Sequence, residues 1–474
     1  MSRSSSGARH RTPDPRLPVR AGRLLRVRTI WVIPLTVASV VVAAMTALYI
    51  GSVANPLAHL SGLPVAVVNQ DRGAAVGAQR LQVGQQIEAG LLASPAVSDR
   101  LHLEVKTLPQ AEQAMDRDGV YATLVIPPNL TASLLTAAGL RPGTAAAPTV
   151  EILTNQRAGT VGTSLATGVL QPALAVASRQ IGRRLAPLVP GAHAPATGLL
   201  LANPVTVVTA VYRPLPNNAA LGLSAFYIAL LTILCGFVGG TIVNSVVDSA
   251  LGYATTETGW RWRQRQPVPI NRWQTLLIKW SLIAVVAAVA TAVMLLVAWG
   301  VGLDLPYPWL LWVFTWLCAL SAGVGMIALF AAAGNYGQLL GLLLFVYAGL
   351  ASAGGTVPVE ALPGFLHLLS YAEPLRQVLE GTRSILYFDA QGVAGLTRGT
   401  VAAASGLAFW LVVGALVVRW YDRRGFYRLR PEVLAHVSQS IQEFQAKEAK
   451  QAKQASQAEQ PPHSGETGPE PPVS

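Results

Sequence analysis

Arg376, Glu380 and Arg383 recur at i, i+4 and i+7 behind Pro374. That spacing sets charged side chains on one stripe of a helix and lets them ion-pair. Leu375, Val378, Leu379, Thr382, Ile385 and Leu386 share a broad apolar face of the same helix, for which Pro374 suits the first turn. The pattern offers electrostatics and no nucleophile or acid–base pair, so these three charges are candidate transport-path or gating residues. The bland reading, a helix capping the ends of a bundle, fits the same pattern. A second charged group, Arg261, Arg263 and Arg265, alternates with Trp260 and Trp262. Aromatics between cations resemble a nucleic-acid strip, but Trp at a membrane interface accounts for them without nucleic acid. These arginines are candidates for docking a protein partner.

Catalytic chemistry is poorly represented. The five lysines, Lys106, Lys279, Lys447, Lys450 and Lys453, never follow Gly, so no phosphate-cradling P-loop exists. His-Glu-x-x-His, Cys-x-x-Cys and Gly-x-Ser-x-Gly are missing too. The reading is no enzyme, with no catalytic residue, cofactor or metal. Gly323-Val324-Gly325-Met326-Ile327-Ala328 formally fits a dinucleotide fingerprint but lies in an apolar run after no strand. Small residues that let helices approach explain it better, as they do Gly236-x-x-x-Gly240 and Gly337-x-x-x-Gly341. These four glycines are candidate helix-packing positions, inside one chain or against a second copy.

The elements that must carry these residues are membrane spans. Between Asp304 and Glu360 no Asp, Glu, Lys or Arg occurs, a stretch sufficient for two crossings of about 30 Å of hydrocarbon. With the other apolar blocks the chain reads as a polytopic α-helical membrane protein of six spans, at 30–52, 219–247, 275–303, 308–333, 337–357 and 399–418. Eight arginines from Arg3 to Arg28, the cluster Arg261 to Arg272, and Arg419 to Arg430 then fall on one side. The positive-inside rule makes that side cytoplasmic, with both termini inside a plasma (inner) membrane. The net charge of +12 belongs to anionic headgroups rather than nucleic acid. Lys279 is expected to snorkel from the inner end of its span. No span core carries the carboxylate that a self-powered proton antiporter would use.

Residues 1–29 form a basic tail, 53–218 an extracytoplasmic α/β domain, 248–274 a cytoplasmic loop, 358–398 an outer loop with the amphipathic helix, and 419–474 a basic, then disordered tail. Within the domain, strands are expected at Val65–Asn69, Leu101–Lys106, Val120–Ile126 and Val150–Leu153. Helices are expected at Ala78–Leu92, Gln110–Met115, Leu130–Ala137 and 158–188. The run Asn69 to Gly73 reads as a polar turn. Cys235 and Cys318 both fall in spans, so no disulfide is expected outside.

Leu63 to Gly73, and Tyr121 to Leu130, resemble the extracytoplasmic domain of phage-infection-protein-like membrane proteins. Ala353 to Pro358, Leu362-Pro363, Glu373-Pro374 and Arg383 resemble a recurring block of type-2 ABC exporter permeases. Val247 to Tyr253 is similar to the nitrosoguanidine-resistance branch. The resemblance implies a homodimeric permease among membrane lipids, with a separate ATP-binding subunit docking on loop 248–274 and the basic tail. Its cargo would be lipid-like or hydrophobic, with toxic-compound (drug) resistance as one outcome. The rival reading is a non-transporting envelope scaffold or receptor associated with protein secretion.

Overall fold

The computed structural model describes residues 28–426, apart from 77–78, 144–145, 190–194, 255, 259–260, 264–267 and 269, together with residue 439. Helix α1 (Arg28–Val53) leads into an α/β domain. Its strands are β1 (Leu63–Asn69), β2 (Ala74–Val76), β3 (Gln79–Leu81), β4 (Leu101–Val105), β5 (Ala122–Ile126), β6 (Thr149–Thr154) and β7 (Thr206–Val211). Its main helices are α2 (Val83–Leu92), α3 (Leu108–Asp116), α4 (Leu130–Ala137) and α5 (Thr160–Leu185). The sheet order is β4-β1-β5-β6-β7, parallel except where β5 meets β6. β1 is central and buried on both faces, which is why it reads as a nearly unbroken apolar run. Val65, Val67, Leu124 and Ile152 face α2, α4 and α5, while Ala66 and Val68 face Ala111 and Met115 of α3.

The polar turn after β1 is a structural clasp. Asp71 accepts from Gly84 N at 2.9 Å and Thr131 N at 3.1 Å, and from the Thr131 hydroxyl, tying α2 and α4 to the strand end. Two local expectations differ from the structure. Gln79–Leu81 pairs with Ala74–Val76 as a ribbon, so the helix begins at Val83 and not at Ala78. A fifth strand, β7, pairs with β6.

The bundle comprises α1, α6 (Leu223–Ala250), α7 (Arg272–Gly300), α8 (Pro308–Ala333), α9 (Tyr336–Ser352) and α12 (Leu396–Arg423). Between α9 and α12 run two shorter helices, α10 (Gly364–Ala372) and α11 (Pro374–Tyr387). Strands β8 (Thr256–Thr258) and β9 (Arg261–Arg263) pair between α6 and α7. Val285, Leu296 and Val297 on α7 and Val401, Val412 and Leu416 on α12 are exposed. So many large apolar side chains in continuous bands mark surfaces that face lipid.

Among the described residues six helices are long and apolar enough to cross a membrane: α1, the Thr160–Leu188 helix, α6, α7, α8 and α12. These are not the six of the bundle. The Thr160–Leu188 helix places Leu165, Ala166, Val169, Leu170 and Leu174 in the core of the α/β domain, and Arg183 and Arg184 stand in its last turn. Its apolar face is spent on the sheet. In its stead the bundle has α9, 17 residues by its bounds, about 26 Å at the usual rise. The middle of α9, Leu342–Ala348, is wound as a π-helix, a form common at functional sites.

Candidate functional site

Every bundle helix has one end toward the α/β domain (the domain end) and one away from it (the far end). Asn218 of the domain linker donates to Gly302 O, between α7 and α8, at 2.9 Å, which fixes the domain end of that pair. Into this end the α10–α11 hairpin is inserted. Glu373 caps α11: its two carboxylate oxygens accept from Leu375 N at 2.7 Å and Arg376 N at 3.0 Å. Pro374 then occupies the first turn, where no donor is missed.

An amphipathic helix with one wet face was the expectation for α11, yet it is buried nearly all round. Leu375, Val378, Leu379, Thr382, Ile385 and Leu386 are buried, and so are Gln377, Arg383, Ser384 and Tyr387. Phe314 of α8 reaches between α11 and α12 because Gly381 and Gly399 leave room for its ring. At the C-terminal end of α11 the Tyr387 and Ser224 hydroxyls hydrogen-bond at 2.6 Å, fastening it to the start of α6.

The charged stripe divides in two. Arg376 Nε meets Glu380 Oε1 at 2.8 Å, and its Nη1 donates to Ser370 Oγ at 2.8 Å while the guanidinium lies over the Tyr371 ring. Arg398, from α12, adds a second guanidinium to Glu380 at 3.2 Å. Arg383 joins neither. Its Nη2 donates to Gly354 O at 3.4 Å, and it lies beside Gly159 and Tyr121 of the α/β domain.

That second position lies in a polar seam between domain and bundle. Tyr121 Oη donates to Glu360 Oε2 at 3.4 Å, Arg157 Nη1 to Tyr387 O at 3.0 Å, and Gln391 Nε2 to Asp116 O at 3.4 Å. Half-buried Asp118 shares the seam. Burial raises its carboxyl to about 7, with Glu380 and Glu360 adding to the rise and Arg383 opposing it. Burial also lifts the Tyr121 phenol, with Glu360 reinforcing it.

At the far end, Lys279 of α7 is 4% exposed, so it does not snorkel to the interface. Its ammonium turns inward to Asp248 Oδ1 at 2.8 Å and Asn244 Oδ1 at 2.7 Å, both on α6. Unpaired burial of the charge would cost far more than this inward turn. A cavity of about 840 Å³ opens beside the pair, lined also by Arg272, Asn335 and Tyr421. The strand β9 carries Arg261 and Arg263 between α6 and α7; Arg265 lies outside the described residues.

Gly236 and Gly240 place α6 on α8. A Cβ on Gly236 would meet Ala322 Cβ at 2.7 Å, and one on Gly240 would meet Gly323 O at 2.8 Å. The backbones approach so closely that only glycine fits. Gly337 packs under Leu329 at the α8–α9 turn, and Gly341 faces Met326 of α8. Among the described residues all four contact their own chain.

Two features of the candidate site escaped the sequence. Glu373 is 2% exposed, a carboxylate inside the bundle that no span carries. Beside it lies a cavity of about 850 Å³ bounded by α8, α9, α11 and α12. Glu373-Pro374 signals a helix start, but nothing in the local sequence signals its burial.

Fold and site together define a polytopic helical membrane protein with an α/β domain inserted between its first two bundle helices and a helical hairpin inserted into its domain end. Residues 34–408 match the family described as "Protein of unknown function (DUF3533)", and the chain belongs to that family. It is 23% identical over 187 residues to the "Uncharacterized protein YhgE" of Bacillus subtilis (strain 168). That match takes in 40% of this chain and 22% of the relative, so the chain spans about a fifth of the relative's length. A solved structure, the "Crystal structure of a domain of a putative ABC type-2 transporter from Thermotoga maritima MSB8", is similar at 21% identity and a TM-score of 0.23. The likeness covers 31% of this chain and 85% of that one.

Proposed function

We propose that the protein is a permease subunit that exports a lipid-like or hydrophobic compound across the plasma membrane. Its α/β domain then stands outside the cell and both termini inside. The observation that carries this reading is α11, a helix with a charged stripe held among α6, α8 and α12 and capped by a buried carboxylate. Partly buried charges cost desolvation energy, and ionisable groups inside a membrane bundle beside a cavity favour a pathway over a plain anchor. Arg376, Glu380 and Arg383 are the gating residues in this reading. The resemblance to type-2 ABC permeases supplies the energy source: a separate ATP-binding subunit docking at the far end around Arg261, Arg263 and Arg265, with the permease working as a homodimer. Rocking of the two halves would open a path outward along α11. Toxic-compound resistance follows where the cargo is toxic.

Purification in mild detergent tests the reading. The expected result is co-purification of an ATP-binding subunit, and ATP-dependent export of a fluorescent amphiphile after reconstitution. A chain that purifies alone, and whose α/β domain keeps its cellular effect on an unrelated membrane anchor, is the envelope scaffold instead.

A further inference from the structure

The cavity of about 850 Å³ beside α11 lies within the range typical of ligand sites, roughly 300–1,000 Å³. Along α12 it reaches from Arg398 to Trp410, twelve helical positions and so about 18 Å. That is close to one leaflet's share of a hydrocarbon layer of about 30 Å. Phe345, Phe409 and Trp410 line its deeper part, and Phe409 is exposed on the outer surface of the bundle. Its other end holds Arg398, which is half-exposed and shares Glu380 with Arg376.

Gln377 supplies the specific feature. It lines the cavity at 7% exposure, and its Oε1 is buried with no hydrogen-bond partner. An unmet buried acceptor costs free energy that a ligand carrying an O–H or N–H would restore. Glu373 lines the cavity too, but both its oxygens are engaged by the first turn of α11. The polar end thus holds an unpartnered acceptor, which a turn of the Gln377 side chain would present to the cavity it lines, and a guanidinium with donors to spare, above an apolar channel one leaflet deep.

We infer that this cavity is a binding site for a single-leaflet lipid whose head carries both a hydroxyl donor, for Gln377 Oε1, and a phosphate or ester oxygen, for Arg398. This deepens the exporter reading of the same helix. The test reads binding and not transport, so either idea can fail while the other stands.

Phosphatidylglycerol and phosphatidylcholine of identical chains separate the claim from ordinary annular lipid, because only the first has a donor in its head. Native mass spectrometry of the detergent-purified full chain should show phosphatidylglycerol retained over phosphatidylcholine. Gln377→Leu should erase that preference, weakening phosphatidylglycerol about tenfold, the loss expected for one buried hydrogen bond, and leaving phosphatidylcholine unchanged. Arg398→Gln should weaken both lipids. Ser405→Trp, on an exposed lining position, should displace lipid without touching either polar group. Glycerol 3-phosphate, which has the head chemistry without chains, should not bind. Equal retention of the two lipids, a preference indifferent to Gln377→Leu, or saturable binding of glycerol 3-phosphate overturns the inference.

Discussion

The two ends of the bundle both bury charge, on different plans. At the far end Lys279 turns its ammonium onto Asp248 and Asn244, drawing α6 and α7 together. At the domain end Glu380 is shared by Arg376 and Arg398, drawn from two helices, and only the first of those guanidiniums is well buried. One arrangement matches cation to anion between neighbouring spans. The other leaves donors over, next to a cavity and a Gln377 acceptor without a partner. Matched buried pairs hold structure, whereas surplus polar groups beside space are available to a ligand. The contrast is between a matched pair that ties two spans together and a shared carboxylate that leaves a half-exposed guanidinium beside an unmet acceptor.

Breaking the far-end pair should have the largest effect. Lys279→Met removes the buried ammonium and takes that partner from half-buried Asp248, a loss of up to about 3–5 kcal/mol for a broken buried pair. Membrane abundance and Tm should both fall, and Lys279→Met with Asp248→Leu should recover most of each. Gly236 belongs to the α6–α8 contact that joins both ends. Gly236→Leu drives a side chain into Ala319 and Ala322, with an overpacking loss of about 1–3 kcal/mol, readable as a lower Tm in detergent.

A pH-dependent effect is confined to the domain end. Asp118 is raised from 3.8 to about 7, so the folded state binds the proton more tightly than the unfolded one. Its contribution to stability is therefore full near pH 4, falls as pH rises toward 7, and levels off above. Thermal melts from pH 5 to 8.5 should show this decline, and Asp118→Asn should flatten it. Smallest of all, Arg398→Gln removes a half-exposed partner of Glu380, a change of about 1 kcal/mol or less. Tm should hardly move. A large drop there would make the domain end as structural as the far end and dissolve the contrast.

How far the sequence reveals this depends on whether the partners are local. β1 and β5 are legible because central strands are apolar throughout, and Arg376 with Glu380 because four residues make one helical turn. β7 is harder: its Thr206–Val211 run follows a Gly-Pro-Ala-rich joint and pairs at an edge, with four of its six residues exposed and none fully buried. Composition alone gives the Thr160–Leu188 helix a span's apolarity, and only tertiary packing on the sheet assigns it to the domain. Lys279 reads as a snorkelling terminal cation because Asp248 and Asn244 lie more than thirty positions back, across a loop. Arg398 and Glu380 likewise meet only once α12 returns beside α11. The apolar stripe on α11 predicts one buried face; burial of the rest comes from four helices closing around it.

Charge reversal within the Arg376–Glu380 pair decides whether α11 takes part in export. Arg376→Glu, Glu380→Arg and the double exchange should be compared for export of a fluorescent amphiphile, membrane abundance and Tm. The account predicts that each single variant lowers Tm, since it sets like charges side by side in a largely buried position, and loses more export than its fall in abundance accounts for, while the exchange restores part of both. Export at the wild-type rate in both single variants, or loss only in step with abundance, would contradict it.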